Sequence, residues 1–122
     1  SGEPGSSLLN TAKGLEYSDN DPDFYRELLR LFTEEAPKSL ERLSSALADN
    51  DLELYTTLVH GLKNNARGIG ADSAGELCFE AEQTARAGNA APLPELHLKI
   101  EHAITEAAAE AARLSEAEKI TQ

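Results

Sequence analysis

Apolar residues recur at helical spacing through almost the whole chain. In "DPDFYRELLRLFTEEA", Phe24, Leu28, Leu31 and Phe32 stand at i, i+4, i+7 and i+8, which places them on one face of a helix. The acidic opening Asp21-Pro22-Asp23 suits a helix start, where carboxylates meet the positive end of the dipole and proline loses no needed donor. Pro37 interrupts the run, and "KSLERLSSALADN" resumes it with Leu40, Leu43 and Leu47, as a second helix or as the same helix bent at the proline. A further stripe follows Asp51, a plausible cap: Leu52, Tyr55, Val59, Leu62, Ala66 and Ile69, ended at Gly70. Asp72 or Ser73 then caps a helix with Ala74, Leu77, Cys78, Ala81 and Ala85 inward, closed by Gly88-Asn89. Pro92 and Pro94 open the last helix, whose inner stripe is Leu96, Ile100, Ile104, Ala107, Ala111 and Leu114.

No segment alternates at the strand period. The fold expected is therefore all-α: an antiparallel four-helix bundle with one or two additional short helices, since short connections force neighbours to run antiparallel. Residues 1–14, which open on the Gly-, Ser- and Pro-rich "SGEPGSSLLN", read as a linker or a remnant of expression. Residues 15–114 form the bundle, and residues 115–122, "SEAEKITQ", form a tail that frays. The linker-like opening leans towards a piece of a longer chain.

Composition narrows the picture. With 122 residues, 40% of them hydrophobic, the chain makes one domain with one modest core. Aromatics are only 5% and Trp and Met are absent, so Leu and Ala carry the core, a mixture that favours helices. A net charge of −11 argues against a nucleic-acid partner, because phosphate backbones need a basic footprint. There is no apolar run long enough to span a bilayer and no secretory leader pattern. A single cysteine cannot close an internal disulfide, which suits a reducing, cytoplasmic setting, and Cys78 lies in an apolar stripe as a small core residue.

One stretch departs from this acidic background. The chain has 22 Asp and Glu residues, yet none lies between Glu53 and Asp72. At about 100° per residue, His60, Lys63, Asn64 and Arg67 share a face, and the core stripe of the same helix is centred about 100° or more away. His60 is thus expected at the rim or exposed, with Gly61 and Gly68 adding little bulk, so that another protein can approach closely. Lys63 and Arg67 favour the neutral imidazole and attract anions, whereas a nearby carboxylate would do the reverse. That environment fits a nucleophile that takes up and holds a phosphoryl group. Folding this helix back onto the next about Gly70-Ala71 brings His60 level with Glu82 and Gln83, either of which can accept the Nδ1–H and leave Nε2 free. A lone histidine flanked by Lys and Arg is more often plain solvated surface, and only the wider motif separates the two readings.

"HGLKNNARGIGA" resembles the phosphoacceptor signature of histidine-containing phosphotransfer (HPt) domains, His-x-Leu-Lys-Gly-Ser-Ser/Ala-x-x-Leu/Ile-Gly-Ala, at His60, Leu62, Lys63, Ala66, Ile69, Gly70 and Ala71. The likeness runs from about Leu15 to Leu114, with Glu82, Arg86 and Gly88 at the usual places of the following helix. It implies a phosphorelay intermediate without ATP-binding apparatus: His60 takes a phosphoryl group from a receiver-domain phospho-aspartate and passes it to another receiver aspartate. It assigns Lys63 to the phosphoryl oxygens and Arg67 to longer-range charge, with Leu62, Ala66 and Ile69 fixing the helix. Mg²⁺ would be supplied by the receiver, with no cofactor here. Partners would be response-regulator receiver domains, met transiently by a monomer in the cytoplasm or at the end of a membrane-anchored hybrid kinase. The family usually has Gly at the position of Asn64 and a small residue at Asn65. The Asn64 amide can hydrogen-bond a phosphoryl oxygen or obstruct docking.

Two alternatives stand beside this: the phosphoacceptor domain of a chemotaxis-type histidine kinase, and a non-catalytic, degenerate helical adaptor. A metal site is not expected. His97 and His102 lie about 140° apart around a helix, and neither HExxH nor Glu-x-x-His occurs.

Overall fold

The structure, a computed structural model, describes residues 8–117. It contains five helices in chain order: α1 (Thr11–Tyr17), α2 (Pro22–Ala48), α3 (Leu52–Gly68), α4 (Asp72–Arg86) and α5 (Leu93–Ser115), with no strand among the described residues. The four long helices close a ring, α2 on α3, α3 on α4, α4 on α5 and α5 on α2, while α1 lies across one end against α2 and α3. The expected four-helix bundle with one short extra helix is what forms.

Pro37 does not end α2, which runs unbroken for 27 residues, about 40 Å. Packing on two neighbours holds the helix through the hydrogen bond that proline cannot make, and Pro37 itself is exposed. Asp21 caps its start by accepting from the Asp23 and Phe24 amides. Asp51 caps α3 through the Leu54 amide at 3.1 Å. At α4 the expectation fails: the cap residue is Ala71, with no side-chain cap bond, and Asp72 instead pairs with Lys13 of α1 at 3.3 Å.

The inner face of α2 also differs from the one read from the sequence. Tyr25, Leu29, Phe32 and Ala36 are buried, whereas Phe24 and Leu31 are 49% and 42% exposed. Both stripes have helical spacing, because the apolar residues come as adjacent pairs (Phe24-Tyr25, Leu28-Leu29, Leu31-Phe32). Tertiary bonding selects between them: the Tyr25 hydroxyl donates to the Ile69 carbonyl at 2.9 Å, which turns the Tyr25 stripe inward. The remaining stripes behave as expected. Tyr55, Val59, Leu62 and Ala66 of α3, Cys78 and Ala81 of α4, and Ile100 and Ile104 of α5 are all buried, while Leu52, Leu77 and Leu114 are half-buried at the edge. Burial pushes the Cys78 thiol up to about 12, as befits a core residue. His97 is buried too, its Nδ1 3.0 Å from the Tyr55 hydroxyl, while His102 is exposed.

The boundary expected at residue 14 lies further back. Leu9 is 2% exposed, Asn10 caps α1 through the Lys13 amide, and the Asn10 amide donates to the Gly70 carbonyl at 2.9 Å. Leu9 and Leu15 need this burial, so α1 is docked rather than free. Residues 1–7 of the expected linker and residues 118–122 of the expected tail lie outside the described residues, and Ser115 closes α5.

The α3–α4 turn depends on Gly70, at φ +88, a conformation that L side chains rarely adopt. A Cβ there would also run into the Asn10 carbonyl. Gly70→Ala therefore combines backbone strain with the loss of the α1 contact. It should lower unfolding free energy by about 2 kcal/mol, read as a shifted urea midpoint at unchanged slope.

Candidate functional site

The α3–α4 hairpin sets the register of the site. His60 and Glu82 each lie eleven residues from Ala71 (71 − 60 and 82 − 71), so they meet across the antiparallel pair. The His60 Nδ1 and the Glu82 Oε2 are 2.6 Å apart. The His60 side chain is 50% exposed, as expected of a rim residue, while that of Glu82 is 2% exposed.

Glu82 is the centre of a small network. Lys63 Nζ donates to Oε1 at 2.7 Å, and Arg86 donates to Oε2 at 2.9 Å from one turn further along α4. Burial alone would push this carboxyl up, but the bonds from Lys63, His60 and Arg86 outweigh it and hold Glu82 down at about 2. Glu82 is thus a carboxylate that only accepts, which requires the proton of a neutral His60 ring to sit on Nδ1. Nε2 then carries the lone pair on the exposed side. Of the two acceptors anticipated for Nδ1, Glu82 takes the bond; Gln83 is exposed.

Two expectations about the cations are corrected. The acid-free window in sequence is not acid-free in space, because α4 brings Glu82 directly onto the imidazole. Lys63 is turned inward, 8% exposed, and bonded to Glu82 rather than offered to solvent. Its stem follows the buried face of α3, and a buried ammonium is retained only with a counter-charge. Arg67 leans on α4, where it meets Glu76 at 3.3 Å and lies 5.6 Å from the centre of the Phe79 ring. Lys63 Nζ lies 5.5 Å from the same ring. Phe79 was not among the expected site residues, and Arg86, placed by the resemblance, had no role assigned to it. Arg86 could have been found as an i, i+4 partner of Glu82, and Phe79 as the residue one turn before Glu82 on the same side.

Asn64 lies on the outer face with His60, its Nδ2 3.3 Å from Nε2. A Cβ built on Gly61 or on Gly68 would meet nothing, so internal packing requires neither glycine. Beside Asn64 opens a groove of about 340 Å³ between α2 and α3, walled by Leu28, Leu31 and Phe32 on one side and by Leu62, Asn64 and Gly68 on the other. The outward stripe of α2 that the core left uncovered is one wall of it.

The site is thus a histidine anchored by a buried carboxylate, with its other nitrogen exposed beside an apolar groove. The sequence matches the Hpt domain family over residues 27–110, and the chain belongs to that family. Its fold is similar to the HPt domain of a sensor hybrid histidine kinase from Shewanella, with a TM-score of 0.82 at 20% identity over 92% of this chain and 97% of that one. It is equally similar to histidine-containing phosphotransfer protein B of Pseudomonas aeruginosa, with a TM-score of 0.82 at 22% identity over 91% and 96%. Among curated proteins none matches the sequence. The family makes this chain a phosphotransfer intermediate of phosphorelays, a phosphocarrier whose partners are receiver domains. Nothing in the comparisons favours the chemotaxis-type or the adaptor alternative. No described helix is long and apolar enough to cross a membrane.

Glu82→Gln should remove the counter-charge of a buried ammonium and cost about 3 kcal/mol at pH 7. The native carboxyl titrates near 2 against an ordinary 4.5, so its contribution is complete above about pH 4.5 and is lost as pH falls towards 2. The stability gap between parent and variant, measured by urea unfolding across pH, should close over that window; a gap that stays constant would refute the assignment.

Proposed function

We propose that His60 is the residue that carries the phosphoryl group. The observation that supports this most is the division of labour on its ring: Nδ1 is held by buried Glu82, and Nε2 faces outward. The Nε2 lone pair attacks the phosphorus of a receiver aspartyl phosphate in line. An Nε2–P bond forms, the P–O bond to the aspartate breaks, and its electron pair returns to the aspartate carboxylate. Nδ1 keeps its proton, so the ring gains positive charge as the bond forms, and the Glu82 carboxylate 2.6 Å away offsets it. Reversal of the same steps delivers the group to a second receiver. Positioning and charge do the work, as in other phosphoryl transfers.

Lys63, on this reading, holds Glu82 rather than the phosphoryl oxygens. Around the ring, Lys63 and Arg86 contribute two positive charges and Glu82 one negative, so one positive charge remains to attract an anion. The α2–α3 groove beside Asn64 receives an apolar element of the receiver, and Gly61 and Gly68 let it come close. Docking is transient and the domain monomeric, with an interface below about 1,200 Å². Mg²⁺ stays with the receiver's acidic pocket. The setting is cytoplasmic, in keeping with the free thiol of Cys78.

Mixing the purified domain with a phosphorylated receiver should give an acid-labile, base-stable label on it, and His60→Gln should abolish that label. A label that survives this change would place the phosphoryl group elsewhere. Gly61→Ala separates docking from folding. It should stabilise the isolated domain by about 0.5–1 kcal/mol, since glycine within a helix is costly, while slowing transfer from the receiver. Faster or equal transfer would show that the surface around Gly61 is not the docking face.

A further inference from the structure

Among the described residues, the side chain bonded to the outward nitrogen of His60 is that of Asn64, an exposed residue with no duty in the core. Its orientation follows from a chain of hydrogen bonds that begins in the interior. Lys63 and Arg86 keep Glu82 an acceptor, Glu82 fixes the ring proton on Nδ1, and Nε2 is left as an acceptor. The contact at 3.3 Å must then be an amide hydrogen of Asn64 directed at the lone pair, because the opposite amide orientation would set the carbonyl oxygen against it. The donor stands 3.3 Å from the nitrogen that phosphorus must reach.

We propose that Asn64 is a gate and latch on His60: its amide caps the Nε2 lone pair in the resting domain and donates to a phosphoryl oxygen once the group has been transferred. The reading rests on His60 as the acceptor. Uptake requires the amide to leave the lone pair, which slows attack. After transfer the lone pair is used in the N–P bond, and three anionic oxygens stand where the lone pair pointed. A donor facing an anionic acceptor makes the stronger, charge-assisted bond, so the exchange favours the phosphorylated state. Asn64 thereby makes the domain slower to load and slower to discharge.

The test uses potassium phosphoramidate, which phosphorylates histidine with ammonia as the leaving group and needs no receiver. Asn64→Ala removes the donor at an exposed helical position that tolerates alanine, and Asn64→Asp keeps the shape but only accepts. Asn64→Ala should load His60 roughly two- to tenfold faster than the parent, the range of one net hydrogen bond, while Asn64→Asp, whose carboxylate favours the charged ring and repels the anionic reagent, should load no faster. Both phosphorylated variants should then lose the group to water roughly two- to tenfold faster, with Asp at least as fast as Ala. The ¹⁵N shift of His60 Nε2 in unphosphorylated Asn64→Ala should move towards that of an unbonded pyridine-type nitrogen, a change that altered packing alone would not produce. In Asn64→Ala, unchanged loading and unchanged lifetime would overturn the proposal, and so would faster loading with an unaltered lifetime, which would leave Asn64 a mere obstruction. If phosphoramidate labels His60 but a phosphorylated receiver does not, the relay reading fails while the role of Asn64 stands. If the receiver labels the parent and both variants alike, with equal lifetimes, the relay reading stands and the role of Asn64 fails.

Discussion

Glu82 is a carboxylate removed from water on the side of an acidic protein, and such a group survives burial only if its oxygens are bonded and its charge is matched. Three donors meet that condition: Lys63 and His60 from α3, and Arg86 from its own helix. The arrangement joins the two helices of the hairpin and at the same time assigns the ring proton of His60. Stability and chemistry are therefore coupled at one side chain. A change that loosens the ion pairs also frees the imidazole to turn, and the ring is as well aimed as its anchor is rigid.

The hairpin turn is the geometric condition for this contact. Gly70 lets α3 reverse within a few residues and offers its carbonyl to Asn10, so α1 is held against the turn from outside. Equal spacing of His60 and Glu82 from the turn then makes them neighbours. A one-residue slip would rotate Glu82 by about 100° around α4 and carry it off the contact. The short first helix, far from the imidazole in sequence, thus contributes to its alignment.

The outer surface of α2 is set by the same choice of core face. Its apolar residues occur in adjacent pairs, and a helix can bury only one of two such stripes against a single core. Burial of Tyr25, Leu29 and Phe32 leaves Leu28 and Leu31 facing the groove beside Asn64. An uncovered apolar wall thus lies beside the exposed nitrogen of His60, on the face where docking is proposed.

The helices, their order, the bundle and the exposed position of His60 were legible in the sequence, because each follows from local periodicity and from residues within a turn or two. That His60 comes level with Glu82 and Gln83 was legible as well, from the spacing about Gly70-Ala71, while the choice of Glu82 as acceptor was made by the packing of α4. What the sequence left open depended on contacts between distant segments. Which of two equivalent stripes α2 would bury was settled by the bond from Tyr25 to the Ile69 carbonyl, 44 positions away. Leu8 to Gly14 read as linker because a single short turn shows no periodicity, and only its docking on Gly70 gives it a place. Lys63 looked like a solvent-facing cation because linear spacing shows the absence of acids near it in the chain. Charge acts through space, and α4 places an acid 2.7 Å from its ammonium.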